Sequence, residues 1–138
     1  MIYKYISQLA NMQRRLIDKL SNGKEYSGTE GKVMHYLFTN QDKTIYQKNI
    51  EEVFGLRAAS ATQVINSLEK MGVSRRIQSR ADGRYKEIVL TEKANEYRED
   101  IFCGIDALEQ RIVRGIEPEQ LDIWCEITNK MIENLKES

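Results

Sequence analysis

Apolar residues along this chain recur at two periods, and the change of period marks its centre. Ile2, Tyr5, Ile6, Leu9, Met12, Leu16 and Leu20 stand three or four apart, which predicts an amphipathic helix over 1–20, ended by Ser21-Asn22-Gly23. Ser27-Gly28-Thr29-Glu30 has the form of a capping box, opening a second helix with Val33, Met34, Leu37 and Phe38 on its core face. Ile45, Ile50, Val53 and Phe54 predict a third helix over about 45–54, with Thr44 as cap and Gln47 three residues later. Gly55 breaks it and Leu56 plugs the turn. Val64, Ile65, Leu68 and Met71 then define the buried side of a fourth helix over 58–71, stopped by Gly72. Ser60, Thr62, Gln63 and Asn66 are left for its other faces. Beyond it the period shortens to that of strands, over 76–79 and 85–90, with Arg80-Ala81-Asp82-Gly83-Arg84 between them and Asp-Gly at the bend. Thr91 is placed to cap a long helix seamed by Ala94, Tyr97, Ile101, Ile105, Leu108, Ile112 and Ile116. Pro118 suits the first turn of a last helix, seamed by Leu121, Trp124, Thr128, Met131 and Leu135.

Two short helices joined by a glycine turn make a helix-turn-helix, whose second helix enters the DNA major groove. A basic hairpin directly after it is a wing. The net charge is zero, yet the charges are segregated. Residues 57–98 carry nine basic and five acidic side chains, and residues 99–138 four and ten. From Lys70 to Lys86 there are six basic residues against one acid. An electrostatic footprint on nucleic acid is local, so the patch outweighs the total.

Leu68-Glu69-Lys70-Met71-Gly72-Val73, Arg75, Asp82-Gly83-Arg84 and Leu90-Thr91-Glu92-Lys93 together resemble the MarR (multiple antibiotic resistance regulator) pattern, and element order and length resemble it along the whole chain. Two departures are Arg57-Ala58-Ala59, where many members carry a Ser or Thr cap and a Pro, and Ala94 in place of a Gly. The resemblance implies a mainly α fold with a small β-hairpin wing. Residues 1–138 would form one MarR-like domain, with 27–91 the winged helix-turn-helix lobe and 1–22 and 92–138 dimerisation helices. It also implies a crevice between lobe and dimer helices for a small aromatic or anionic effector, which would alter the spacing of the two recognition helices.

These readings converge on a homodimeric regulator, a repressor by expectation, bound to double-stranded DNA at a pseudo-palindromic operator. Ser60, Thr62, Gln63 and Asn66 would face bases, with Arg57, Arg80, Arg84 and Lys86 as basic contacts. Asp82, Gly83 and Arg75 would support the wing, Asp82 by pairing with an arginine. The competing reading is a winged helix that binds an acidic protein partner. It would call for an apolar anchor on the outer face of the fourth helix, where this sequence has polar side chains.

Composition narrows the classes further. With 138 residues, 41% hydrophobic and 30% charged, the chain reads as a globular protein. No apolar run approaches the roughly 18 residues that span a bilayer, and the first residues lack the apolar core of a signal peptide, so a cytoplasmic protein away from membranes is expected. No phosphate loop, GxSxG, HExxH or CxxC occurs, and a non-enzyme without cofactor is expected. His35, the one histidine, lacks companions for a metal site, and no metal ligands are assigned. Cys103 and Cys125 have acidic sequence neighbours and are expected to be buried packing residues rather than oxidant sensors.

Overall fold

A computed structural model describes residues 1–136 and separates them into two units, Met1–Asp106 and the stretch from Ala107 onward. The elements are α1 (Ile2–Leu20), α2 (Gly28–Thr39), α3 (Gln47–Phe54), α4 (Ala58–Lys70), β1 (Ser74–Gln78), β2 (Lys86–Leu90), a 3₁₀ turn (Glu92–Glu96), α5 (Arg98–Val113) and α6 (Pro118–Leu135).

The capping box of α2 forms as read. The Ser27 hydroxyl accepts from the Glu30 amide at 3.1 Å, and a Glu30 carboxylate oxygen accepts from the Ser27 amide at 2.7 Å. The apolar face of α2 is wholly buried at Val33, Met34, Leu37 and Phe38. It packs with Ile50 of α3, Ile65 and Leu68 of α4, Val73, Ile88 of β2, Ala94 and Ile101 in one core. Gly55 takes a left-handed conformation, φ 62°, and the Leu56 amide returns to the Glu51 carbonyl at 2.9 Å. That closes α3 and turns the chain into α4. Gly72, φ 79°, ends α4 in the same way, with the Val73 amide donating to the Leu68 carbonyl at 3.1 Å. β1 and β2 pair antiparallel, from Ser74 opposite Leu90 to Gln78 opposite Lys86.

Element boundaries differ from the sequence expectation in α3, in both strands and at both ends of α5. Helix α3 begins at Gln47 with Tyr46 as its cap, and Thr44 takes no part in capping. The side chain that reaches back is Asn49, whose Oδ1 accepts from the Tyr46 amide at 2.8 Å. Ile45 is thereby released from the helix, and its carbonyl accepts from the Ile88 amide at 2.8 Å, tying the chain to the outer side of β2. The strands cover 74–78 and 86–90 rather than 76–79 and 85–90. Thr91 precedes a 3₁₀ turn and not the long helix. Its hydroxyl donates to the Gly72 carbonyl at 2.5 Å, and α5 starts only at Arg98. At its far end α5 stops at Val113 before Gly115, φ 78°, so Ile116 lies beyond the helix it was expected to seam.

Helix α1 has one buried residue, Ile17, which stands outside the predicted stripe. Ile2, Tyr5, Ile6, Leu9, Met12 and Leu20 are exposed. Ile17 packs on Gly28 at the start of α2. A Cβ at Gly28 would overlap Ile17 Cγ2 and lie 3.3 Å from Ile17 Cβ. Gly28→Ala is expected to cost about 1–3 kcal/mol through this overlap, more than the up to ~1 kcal/mol that alanine contributes to helix propensity. Urea unfolding measures it; an unchanged midpoint would mean that α1 yields without resistance.

From Ala107 onward, Leu108 is buried and no residue of α6 is. Helix α6 opens on Glu117, whose amide donates to Gln120 Oε1 at 3.1 Å, with Pro118 in its first turn as predicted. Ile112, Ile116, Ile123, Trp124, Ile127, Ile132 and Leu135 are exposed.

Candidate nucleic-acid interface

Helix α4 packs on α2, α3 and β1 through Ala61, Ile65 and Leu68, which are fully buried. Residues at the complementary spacing therefore point outward: Arg57, Ala58, Ala59, Ser60, Gln63, Asn66 and Lys70 are exposed. The side chains of Ser60 and Gln63 have no hydrogen-bond partner among the described residues.

Thr62 is placed differently from its sequence assignment. It is half-buried inside the helix-turn-helix, its hydroxyl donating to the Ala58 carbonyl and accepting from Gln47 Nε2, both at 2.9 Å. Thr62 thus fastens α3 to α4 and has no free donor to offer a base. Asn66 is exposed, but its Oδ1 accepts from Arg76 Nη2 at 3.0 Å. The same guanidinium pairs with Glu69 at 2.5 Å. Arg76 therefore braces β1 against α4. Arg75, the expected support, is exposed on the strand opposite Val89.

The wing tip is organised around Ser79. Its amide donates to the Tyr85 carbonyl at 2.9 Å, and the Tyr85 amide to the Asp82 carbonyl at 3.1 Å, forming a turn over 82–85. Gly83 is not left-handed, so its conformational freedom is not what makes the turn. Its carbonyl instead accepts from Gln78 Nε2. Asp82 holds Arg84 in a bidentate pair, Nε to Oδ1 at 3.0 Å and Nη2 to Oδ2 at 2.8 Å. The Arg84 hydrogen bonds hold the Asp82 carboxyl below the usual carboxylate range, and Asp82 raises the arginine further. Both groups are therefore charged at neutral pH. The Arg84 side chain stays 79% exposed, so it is fixed in direction yet open to a ligand.

Arg80 is more loosely held. Its Nε lies 3.5 Å from Glu87 Oε1, an ion pair too long to leave that buried oxygen with a hydrogen-bond partner. Lys86 is exposed opposite Gln78. Beside the root of the wing, a cavity of about 190 Å³ is lined by Leu37, Asn40, Lys43, Ile45, Arg80 and Glu87 among others. Among the described residues no cluster of three or more His, Cys, Asp or Glu could hold a metal ion. His35 is half-buried and packs on Phe102 at 4.9 Å between ring centres. Cys103 and Cys125 are both exposed, against the expectation of burial.

Sequence reasoning missed Arg76, Tyr46 and Ser79. A serine immediately before a turn is a known local signal, since its hydroxyl caps amides two and three residues on. Tyr46 and Arg76 carried no such signal, because their partners are distant in sequence.

A helix-turn-helix with a two-stranded wing, set among further helices, is a winged-helix fold of the MarR type. It is similar to the transcription regulator MarR from Oenococcus oeni PSU-1, at TM-score 0.85 and 24% identity over 96% of this chain and 99% of that one. S. aureus MepR in its DNA-binding conformation is similar at TM-score 0.87 and 18% identity, over 99% of each chain. CouR from Rhodococcus jostii RHA1, bound to p-coumaroyl-CoA, is similar at TM-score 0.83 and 20% identity, over 99% of this chain and 95% of that one. No family model matches the sequence.

Proposed function

We propose that this chain is a sequence-specific DNA-binding transcriptional regulator, most simply a repressor, that acts as a homodimer on a pseudo-palindromic operator. The observation that carries the reading is the pairing of an outward polar face on α4 with a hairpin exposing Arg80, Arg84 and Lys86, the two joined through Arg76. Ser60, Gln63 and Asn66 would meet base edges in the major groove, with Arg57 near the backbone. Arg84 would enter the adjacent minor groove, whose negative potential attracts a guanidinium. Similarity to MepR, which has been solved with DNA, supports the same reading. The outer face of α4 has no aromatic or large aliphatic anchor, so the protein-binding alternative gains no support.

The homodimer accounts for apolar surface left open in each unit: Ile2, Tyr5, Ile6, Leu9 and Met12 on α1, and Ile123, Trp124 and Ile127 on α6. Patches of this kind mark association sites, and a second copy would cover the same surfaces reciprocally. Half-sites would lie about 34 Å apart, one helical turn. A small aromatic or anionic effector would release the operator by changing that spacing; that CouR, of similar fold, binds p-coumaroyl-CoA supports a ligand site here. Among the described residues no helix is long and apolar enough to cross a membrane, and the protein would act in the cytoplasm, where the DNA is. Its role would be binding rather than catalysis.

A gel shift with the DNA flanking its own gene tests the reading, the expected result being a discrete complex that survives excess random duplex. Sedimentation at low micromolar concentration should give about twice the chain mass of 16.1 kDa. A well-behaved monomer would overturn the dimer.

A further inference from the structure

The Ser79 hydroxyl is 4% exposed at the residue level and meets three groups. The Ala81 amide reaches it at 3.2 Å, the Asp82 amide at 3.1 Å and the Tyr46 hydroxyl at 2.8 Å. A hydroxyl has one proton and two lone pairs. Two amides occupy the lone pairs, so the Ser79 proton goes to Tyr46, whose oxygen accepts it. Tyr46 is itself fixed at the start of α3: its amide donates to Asn49 Oδ1 at 2.8 Å and its carbonyl accepts from the Asn49 amide at 3.0 Å. The Tyr46 ring also meets the Tyr85 ring edge-on at 6.0 Å, and the Arg84 guanidinium lies over Tyr85 at 5.5 Å. Two routes therefore run from the first helix of the helix-turn-helix to the same arginine. One passes through Ser79, the Asp82 amide and the Asp82 carboxylate, and the other through the two tyrosine rings.

We propose that Tyr46 is a positioning residue that sets where the wing carries Arg84 relative to the recognition helix; as a statement about DNA affinity it rests on the DNA-binding reading above. Removing the Tyr46 hydroxyl leaves the buried Ser79 proton without an acceptor. The hydroxyl then turns toward another partner and gives up one of its two amides. The tip of the wing loosens while the core, which neither residue enters, is unchanged. Arg84 must then be ordered at the moment of binding, which lowers affinity without removing any DNA contact.

The test uses Tyr46→Phe, which keeps the ring, and Ser79→Ala, which removes the same bond together with both amide bonds and marks the upper limit of loosening. In the free protein, amide exchange at Ala81 and Asp82 is expected to rise about fivefold or more in Tyr46→Phe, the worth of one neutral hydrogen bond, with the thermal midpoint nearly unchanged. Binding is measured on a duplex that the wild-type protein selects from a randomised pool. Tyr46→Phe is expected to weaken it about fivefold, and the double variant with Arg84→Ala to bind no worse than Arg84→Ala alone. A purely structural role would instead add its full loss on top of Arg84→Ala. Wild-type exchange rates at Ala81 and Asp82 in Tyr46→Phe, or a loss that multiplies fully with Arg84→Ala, overturn the proposal. Failure of the wild-type protein to select any duplex overturns the DNA-binding reading and the affinity part of the proposal, while the exchange rates still report whether Tyr46 orders the tip.

Discussion

Gln63→Ala is expected to cost roughly 1–3 kcal/mol on the operator and almost nothing on random DNA. The side chain is exposed one turn into α4 and is bonded to no described residue, so its amide is free to take both edge positions of an adenine. Arg84→Ala should behave in the opposite way, weakening binding to all sequences alike and lowering the salt slope by about one unit. The minor groove offers a degenerate code, so a wing arginine contributes affinity more than choice. Fluorescence anisotropy with a selected and a scrambled duplex measures both variants, after thermal melting has shown them folded. Equal weakening of the two duplexes by Gln63→Ala would remove α4 from the role of reading element.

Leu68→Ala should lower stability by about 2–5 kcal/mol. Leu68 is fully buried, and its carbonyl accepts the Val73 amide that closes the end of α4. Its side chain belongs to the cluster that joins α2, α4 and the wing, so a cavity there has neighbours on several elements and little freedom to collapse. Against a typical total of about 5–15 kcal/mol the loss is large. Urea denaturation measures it, and a loss under about 1 kcal/mol would show that the surrounding helices close over the missing side chain.

The helices were legible because a spacing of three and four states which face is buried, and the outward face of α4 was legible as what that spacing leaves over. What failed was decided by partners far along the chain. Thr44 and Gln47 fit a capping rule locally, but Ile45 is held by the Ile88 amide, and that moves the start of α3 to Gln47. Arg75 and Arg76 differ by one position, and in a strand that parity decides which of them faces α4. It is settled by the register, with Arg76 opposite Ile88. Thr62 looked like its polar neighbours until Gln47 came round to meet it. The α1 stripe shows a different limit. Periodicity reports that a face is to be covered, not by which chain, and here Ile17 alone is covered within the described chain. For Cys103 and Cys125 the neighbours in sequence described local charge and were silent on exposure.

The division of labour along α4 bears on how such a protein diverges. Thr62 is committed to internal bonds and Asn66 through its Oδ1 alone, its Nδ2 staying open, whereas Ala59, Ser60 and Gln63 are exposed and hold nothing else in place. Exposed substitutions of that kind usually shift stability by less than about 0.5 kcal/mol. On the proposed DNA-binding function, new operators would be acquired by drift at Ala59, Ser60 and Gln63 while the scaffold stays intact. Drift at Thr62 would first have to replace the bond to Gln47. A library randomised at the three free positions is accordingly a route to retargeting, and one that includes Thr62 would lower the stability of most clones by about 1–3 kcal/mol.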